Sequence, residues 1–204
     1  MLLYGASGHA KVINSILRAT GQEVTAIFDD DLGKKNLGDI AVVGQYDPDF
    51  QTAAPLIISI GYNDIRRKVA GKIRHRFGRA IHPSALIDET ATIGEGTVIM
   101  PGVIVQADAR IGRHVIVNTA ATVDHDCLLG DFVHIAPGVV LCGAVQVGES
   151  TLIGAGCVVA PNLTIGANCL IAAGSVVTTH IPDGATVRGN PARVVGNFEA
   201  GSPR

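Results

Sequence analysis

The chain has no strong charge of either sign. Sixteen Lys and Arg stand against 18 Asp and Glu, a formal net charge of −2 over 204 residues. That balance favours neither a nucleic acid nor an anionic membrane as partner. Met1-Leu2-Leu3-Tyr4 leads straight into Gly5, with no basic segment, apolar run and cleavage site. No apolar stretch has the length of a bilayer span, so a cytoplasmic protein without signal or transmembrane segment is expected. Cysteine is scarce: Cys127, Cys142, Cys157 and Cys169 are too dispersed for a metal cluster or a disulfide framework. Tryptophan is absent. The early glycines do not form G-x-G-x-x-G, so a dinucleotide is not indicated.

What the chain does have is a period of six. Ile81, Ile87, Ile93, Ile99, Val105, Ile111, Val117, Val123, Leu129, Ile135, Leu141, Val147, Ile153, Val159, Ile165, Ile171 and Val177 follow one another without a missed step. Two residues before each stands a mostly small side chain, such as Ala91, Thr97, Ala109, Ala121, Cys127, Thr151, Cys157 and Ser175. Three of the four cysteines fall at that position and read as core packing. A period of six fits neither a helix nor an alternating strand. It fits very short strands separated by turns, three to a triangular coil, with each coil stacked on the last. No long loop interrupts the register.

Residues 1–78 are a different unit, and residues 79–204 hold the repeat with a closing segment. Leu2-Leu3-Tyr4 is a short buried strand, Gly5 to His9 a turn, and Ala10 to Thr20 a helix with Val12, Ile13, Ile16 and Leu17 on one face. A strand from Val24 to Phe28 ends in Asp29-Asp30-Asp31, and Leu56 to Gly61 is another. Asn63 or Asp64 is placed to cap a basic helix carrying Arg66, Arg67, Lys68 and Lys72. Strand, glycine turn, helix, strand, acid is how a nucleotide-binding βαβ unit begins. A ligand-free α/β cap is the plain alternative. Past Val177 the register breaks, Val187 to Arg193 closes the domain, and Gly201 to Arg204 is expected to be a mobile tail.

Register assigns the outward residues to three faces. One is polar, with Thr92, Arg110, Gln146 and Thr164. A second shows Val98, Ile116, His134, Leu152 and Leu170, and a third Ile104, Thr122, Val140, Val158 and Val176. Two largely apolar faces on one prism predict a three-fold homotrimer. His125 and Asp126 occupy a corner after the third face where other repeats place plain turn residues, and its column mates Ala107 and Gly143 are small. An imidazole beside a carboxylate suits a general base. His134 and Asn118 lie on the second face, opposite that corner, so a site shared with His125 must form between subunits. His75, His82 and His180 are expected in surface or capping roles and His114 in solvent. His9 reads equally as a ligand contact or a plain turn residue.

Over nearly its whole length the chain resembles the sugar O-acyltransferase family related to sialic acid O-acetyltransferase. It is most similar there to the acetyl-CoA-dependent N-acetyltransferases of nucleotide-linked 4-amino-4,6-dideoxysugars, enzymes of bacterial glycan biosynthesis. The resemblance rests on Tyr4 to His9, Phe28-Asp29-Asp30, Ile60 to Asn63, Asn118-Thr119, Val123 to Cys127, His134 and Gly189 to Arg193. It implies a Rossmann-like N-terminal domain followed by a left-handed parallel β-helix of hexapeptide repeats. It implies that Ser7, Gly8 and His9 hold a diphosphate, that Asp29 and Asp30 face base and ribose, and that Gly61 and Asn63 line the same cleft. His125 would be the base, with Asp126 raising its basicity and Asn118 and His134 arriving from a neighbour. Acetyl-CoA would lie between prisms near His134, Gly143, Ala155 and Ala173, without an indole platform and without a metal. The N–H of Gly143 would serve the oxyanion. Asp126 replaces the Glu of some relatives, and its shorter side chain leaves its bond to His125 to be established. Two other activities stay open: sugar O-acetylation with the same base, and a γ-class carbonic anhydrase-like metal site using His114, His125 and His134.

Overall fold

The computed structural model describes residues 1–198. The tail expected at Gly201 to Arg204 lies outside them. Seventeen two-residue strands run from β6 (Ala80–Ile81) to β22 (Val176–Val177), one every six residues. Up to Val158–Val159 each pairs in parallel with the strand eighteen residues on, as Ile99 with Val117 and Val117 with Ile135. The strands stack into three sheets, one per prism face. The second residue of each strand points inward, and Ile99, Val117, Ile135, Ile153 and Ile171 are fully buried. The small residue two positions earlier lets the corner fold over the core: Ala109, Ala121, Cys127, Cys157 and Ser175 have no exposed surface. All four cysteines are free thiols.

The corners turn through the left-handed region. Ala120, Asp126, Phe132 and Ser150 adopt φ of 55–61° there. Each such non-glycine residue costs about 1–2 kcal/mol. The coil below offsets that cost by fixing the backbone, as the N–H of Asp126 donating to Ala107 O at 3.0 Å shows. At Gly96 (φ 71°) a side chain would run into the His114 ring, so the glycine makes room for a buried histidine. Past the last coil, β23 (Ala185–Gly189) pairs in parallel with the preceding strand of its face, and β24 (Ala192–Asn197) folds back antiparallel on it.

The N-terminal lobe is an α/β layer. β1 (Leu2–Tyr4), β2 (Ala26–Phe28), β4 (Ile40–Gly44) and β5 (Leu56–Ile58) form a parallel sheet in the order β4-β2-β1-β5. β3 (Asn36–Leu37) adds an antiparallel edge, a short hairpin whose strands the sequence reading missed. α1 (Gly8–Ala19) is the crossover, starting two residues before the expected Ala10. Ala10, Ile13 and Leu17 pack with Leu3, Ile27 and Ile57 onto Val98, Met100 and Ile116 of the coil.

That packing corrects the two-sticky-face argument. The lobe of the same chain covers the Val98–Ile116 end of the second face, leaving the third as the open apolar one, with Leu86, Val140 and Val158 exposed. The polar face also carries an exposed Leu128. Among the described residues no helix is long and apolar enough to cross a membrane.

Candidate functional site

The chain leaves β1 toward α1 on one side and β5 toward α2 (Asn63–Ala70) on the other, with β1 and β5 adjacent. Such a reversal opens a crevice at the carboxyl ends of the strands, the usual ligand position in a doubly wound sheet. Gly5 (φ 106°) makes the turn out of β1, where a Cβ would lie 2.8 Å from Ile60. Ser7 precedes α1, is exposed and makes no capping bond, and a Cβ at Gly8 would meet nothing within 4 Å. These residues leave the helix N-terminus open, a position suited to an anion. His9 is half-buried, its buried Nε2 is without a partner among the described residues, and burial followed by the charge of Arg66 lowers its pKa to about 4. Its imidazole is therefore neutral at physiological pH.

The two aspartates play different parts. Asp29 is buried and its carboxylate accepts from Ala6 N (2.6 Å), Asp31 N (2.9 Å) and Lys34 Nζ (2.8 Å). Burial works against ionisation, but these three donors outweigh it and hold the carboxyl below its ordinary pKa. Asp29 thus ties the β1 and β2 loops together. Asp30 is exposed and accepts one bond from Tyr4 OH at 2.8 Å, which leaves carboxylate lone pairs facing the crevice rim.

α2 joins the lobe to the coil, and here the histidine and cap expectations are corrected. Neither Asn63 nor Asp64 caps the helix; Tyr62 occupies the N-cap. Asn63 is buried, with Nδ2 donating to Ser150 O at 3.0 Å and Oδ1 accepting from Arg66 at 2.9 Å. Arg66, read from sequence only as part of a basic helix, is 1 % exposed. His114 is buried rather than solvated: its ring stacks on Phe132 (5.0 Å, 5°) and meets Phe77 edge-on at 4.3 Å. Burial, then the charges of Arg66 and Arg113, lower its pKa to about 4. His75 is also buried, bonded to Tyr46 OH (2.8 Å) and Phe50 O (2.9 Å). A sequence with this few aromatics gives no signal that they gather around histidines.

Asn118 and His134 come together on the second face. His134 Nδ1 lies 3.3 Å from Gly61 O, and its Nε2 lies 3.3 Å from Asn118 Nδ2. A carbonyl only accepts, so Nδ1 carries the proton and Nε2 receives the amide bond. This brings the predicted Gly61, Asn118 and His134 into one cluster at the lobe–coil seam, away from the other corners.

His125 stands on the corner between the third and first faces, exposed, one residue before the left-handed Asp126. Its backbone N–H donates to Asp124 Oδ1 at 2.8 Å, and Nδ1 bonds Asp126 Oδ2 at 2.7 Å. The short aspartate therefore does reach the imidazole. Its hydrogen bond first, then the charge of Asp124, raise the His125 pKa. The carboxylate holds the proton on Nδ1 and leaves Nε2 as the basic nitrogen. That edge lies over Gly143, where an added Cβ would be 2.6 Å from Nε2. Ala155 and Ala173 are exposed on the remaining corner, eighteen residues apart, and among the described residues their N–H groups have no acceptor. His114, His125 and His134 thus occupy three separate settings within the chain, and among the described residues no group of His, Cys, Asp or Glu gathers to hold a metal.

A nucleotide-type crevice set on a hexapeptide coil, with a carboxylate-backed histidine on an open corner, is the architecture of a hexapeptide-repeat acyltransferase. The "PglD N-terminal domain" matches residues 1–73, and "Bacterial transferase hexapeptide (six repeats)" matches residues 90–125 and 144–179. Perosamine N-acetyltransferase of Caulobacter crescentus, solved as a histidine-to-asparagine variant with CoA and GDP-perosamine, is 40% identical, with 96% of each chain covered and a TM-score of 0.92. The acetyltransferase domain of PglB from Neisseria gonorrhoeae FA1090, solved with acetyl coenzyme A, is 37% identical over 95% of this chain and 98% of that one, at a TM-score of 0.87. UDP-N-acetylbacillosamine N-acetyltransferase of Bacillus subtilis (strain 168) is 37% identical over 106 residues, about half of either chain (48% and 49%). The chain belongs to the PglD-type family of hexapeptide-repeat acetyltransferases.

Proposed function

We propose that the protein transfers an acetyl group from acetyl-CoA to the 4-amino group of a nucleotide-linked 4-amino-4,6-dideoxysugar. The observation that carries this is His125: an exposed imidazole, its Nδ1 fixed by Asp126 and its basic Nε2 edge resting over the side-chain-free Gly143. The sugar nitrogen attacks as the neutral amine. His125 Nε2 accepts one of its N–H protons as the C–N bond forms, and the C–S bond then breaks with the electron pair leaving on the thiolate. Asp126 steadies the imidazolium. The N–H of Gly143, one coil along, has no acceptor among the described residues and is available to the developing oxyanion.

The residues fit acetyl-CoA on the open corner. Ala155 and Ala173 offer unclaimed N–H groups to an amide-rich chain and no side chain in its way. Ser7, Gly8 and His9 would take the diphosphate, Asp30 the base or ribose, and Gly61 the sugar side of the crevice. Asp29 and Asn63 would act by holding the crevice walls. The separation of the Gly61–His134 cluster from His125, and the open third face, favour a homotrimer with each site shared by two subunits. The division at residue 78 then separates acceptor binding from acetyl transfer. Sugar O-acetylation uses the same base and differs only in the acceptor.

The test is thiol release from acetyl-CoA with nucleotide-linked 4-aminosugars and their 4-hydroxy counterparts, run beside His125→Ala. Turnover confined to amino sugars and reduced about 10²–10⁴-fold in the variant is expected. Turnover with hydroxy sugars alone would replace this reading with O-acetylation.

A further inference from the structure

α2 carries three adjacent basic residues, Arg66, Arg67 and Lys68, and only Arg66 is buried. Taking a guanidinium out of water costs several kcal/mol. A leucine would fill such a core position without that penalty, so the charge and shape of Arg66 need a reason.

The five N–H groups supply one. Nε donates to His114 O at 2.8 Å and Nη2 to Phe132 O at 2.9 Å. Those acceptors are eighteen residues apart, on successive coils, at corners with φ of 54° and 61°. The other donors turn back to the lobe: Nη2 to Asn63 Oδ1 at 2.9 Å, and Nη1 to Ile60 O (3.0 Å) and Gly61 O (3.1 Å). One planar group therefore measures the spacing of two coils and fixes the loop that leaves β5. The Gly61 carbonyl receives both this bond and the one from His134, so its peptide plane is held from the lobe and from the coil together.

We propose that Arg66 is a positioning residue for the nucleotide-linked sugar, locking the 60–62 loop in register with His134 across the lobe–coil seam. This rests on the acetyl-transfer reading above. Lysine retains the charge but has three donors on a point-like head, and it cannot span two coils and the loop at once.

The experiment is steady-state thiol release with Arg66→Lys and Arg66→Gln. Arg67→Lys serves as a control on the same helix, because Arg67 is exposed and meets the exposed Glu149 at 3.0 Å and the Ser150 hydroxyl only at 3.5 Å. In a folded Arg66 variant, KM for the nucleotide-linked sugar rises about tenfold to a hundredfold, the scale of a 1 Å misplacement. KM for acetyl-CoA stays within about twofold, and the Arg67 control behaves as wild type. A purely structural staple would lower the melting temperature and leave both KM values alone, and that result overturns the proposal. Hydrogen exchange on the wild-type protein keeps the test open if neither variant folds. Amides 60–66 slow on adding the nucleotide-linked sugar but not acetyl-CoA, and unchanged exchange with the sugar overturns the proposal too. Absence of thiol release by the wild type would instead refute the acetyl-transfer reading.

Discussion

Gly143→Ala isolates the geometry of the base from its chemistry. A methyl group there would sit 2.6 Å from both Cε1 and Nε2 of His125 and 3.3 Å from Cδ2. Non-bonded heavy atoms settle at about 3.5–4.0 Å, so the ring must retreat by about 1 Å. It is free to do so, because His125 is exposed and its neighbours on that corner are small. The retreat strains or breaks the 2.7 Å bond to Asp126 and moves Nε2 off its line. Gly143 does not occupy the left-handed region. The backbone there accepts alanine at a gain of less than about 1 kcal/mol, which offsets the loss of the exposed hydrogen bond to Asp126, itself about 1 kcal/mol. A displacement of that size at a reacting group costs about 10²-fold in rate. The assay is thiol release at saturating acetyl-CoA and amino sugar, paired with a melting curve. An unchanged melting temperature with kcat down about a hundredfold is expected. A folded variant with wild-type kcat would show that the Gly143 side of the ring is not where the acceptor approaches.

Two further perturbations address charge and assembly. In Asp126→Asn the carboxylate that stabilises the imidazolium is gone, so the His125 pKa falls. The base acts when neutral, so activity is lost as pH drops through that pKa. The acid limb of the kcat/KM profile should therefore shift to lower pH in the variant, with a lower plateau from the poorer base, and a limb that does not move would remove Asp126 from this role. Asparagine tolerates the φ of 60° at this site, so folding is not the obstacle. In Val140→Lys with Val158→Lys, two charges enter the exposed apolar stripe of the third face. Sedimentation should then give a monomer in place of a trimer, with acetyl transfer abolished while melting of the chain persists. An unaltered mass would place the subunit contact elsewhere.

The coil was legible because its signal is repetitive: one aliphatic residue every sixth position and a small one two places before it. Each repeat confirms the next, so the register, the inward set and the buried cysteines follow without tertiary information. The His125–Asp126 pair was legible for the opposite reason, as a departure from the turn pattern at one corner. What stayed hidden depends on contacts between distant segments. Arg66 among basic neighbours looks like a solvated helix face until His114 O and Phe132 O lie beside it. Asp29 and Asp30 are identical in sequence terms, yet Ala6, Asp31 and Lys34 consume one while the other stays at the rim. The apolar second face gave no sign whether its own lobe or another copy would cover it. Composition is the same in both cases; only the packing of α1 decides.

The corners explain why such a regular coil can support chemistry. Flat strand positions are fixed by ladder bonds and by the core, so they tolerate little variation. Corner residues face outward, and three columns of them carry different chemistry here. The column of His114, Phe132 and Ser150 presents carbonyls to α2, through Arg66 for the first two and Asn63 for the third. The column of His125 and Gly143 presents a base seated on a glycine. The column of Ala155 and Ala173 presents N–H groups. The lobe that would hold the acceptor is bolted to the first column, and the base stands on the second, with the whole polar face between them. An acceptor held by the lobe against Gly61 and His134 therefore lies beyond the reach of its own His125. The base of a second copy must supply the proton acceptor, which makes assembly a condition of catalysis in this reading, and the charged third-face variant is its most direct test.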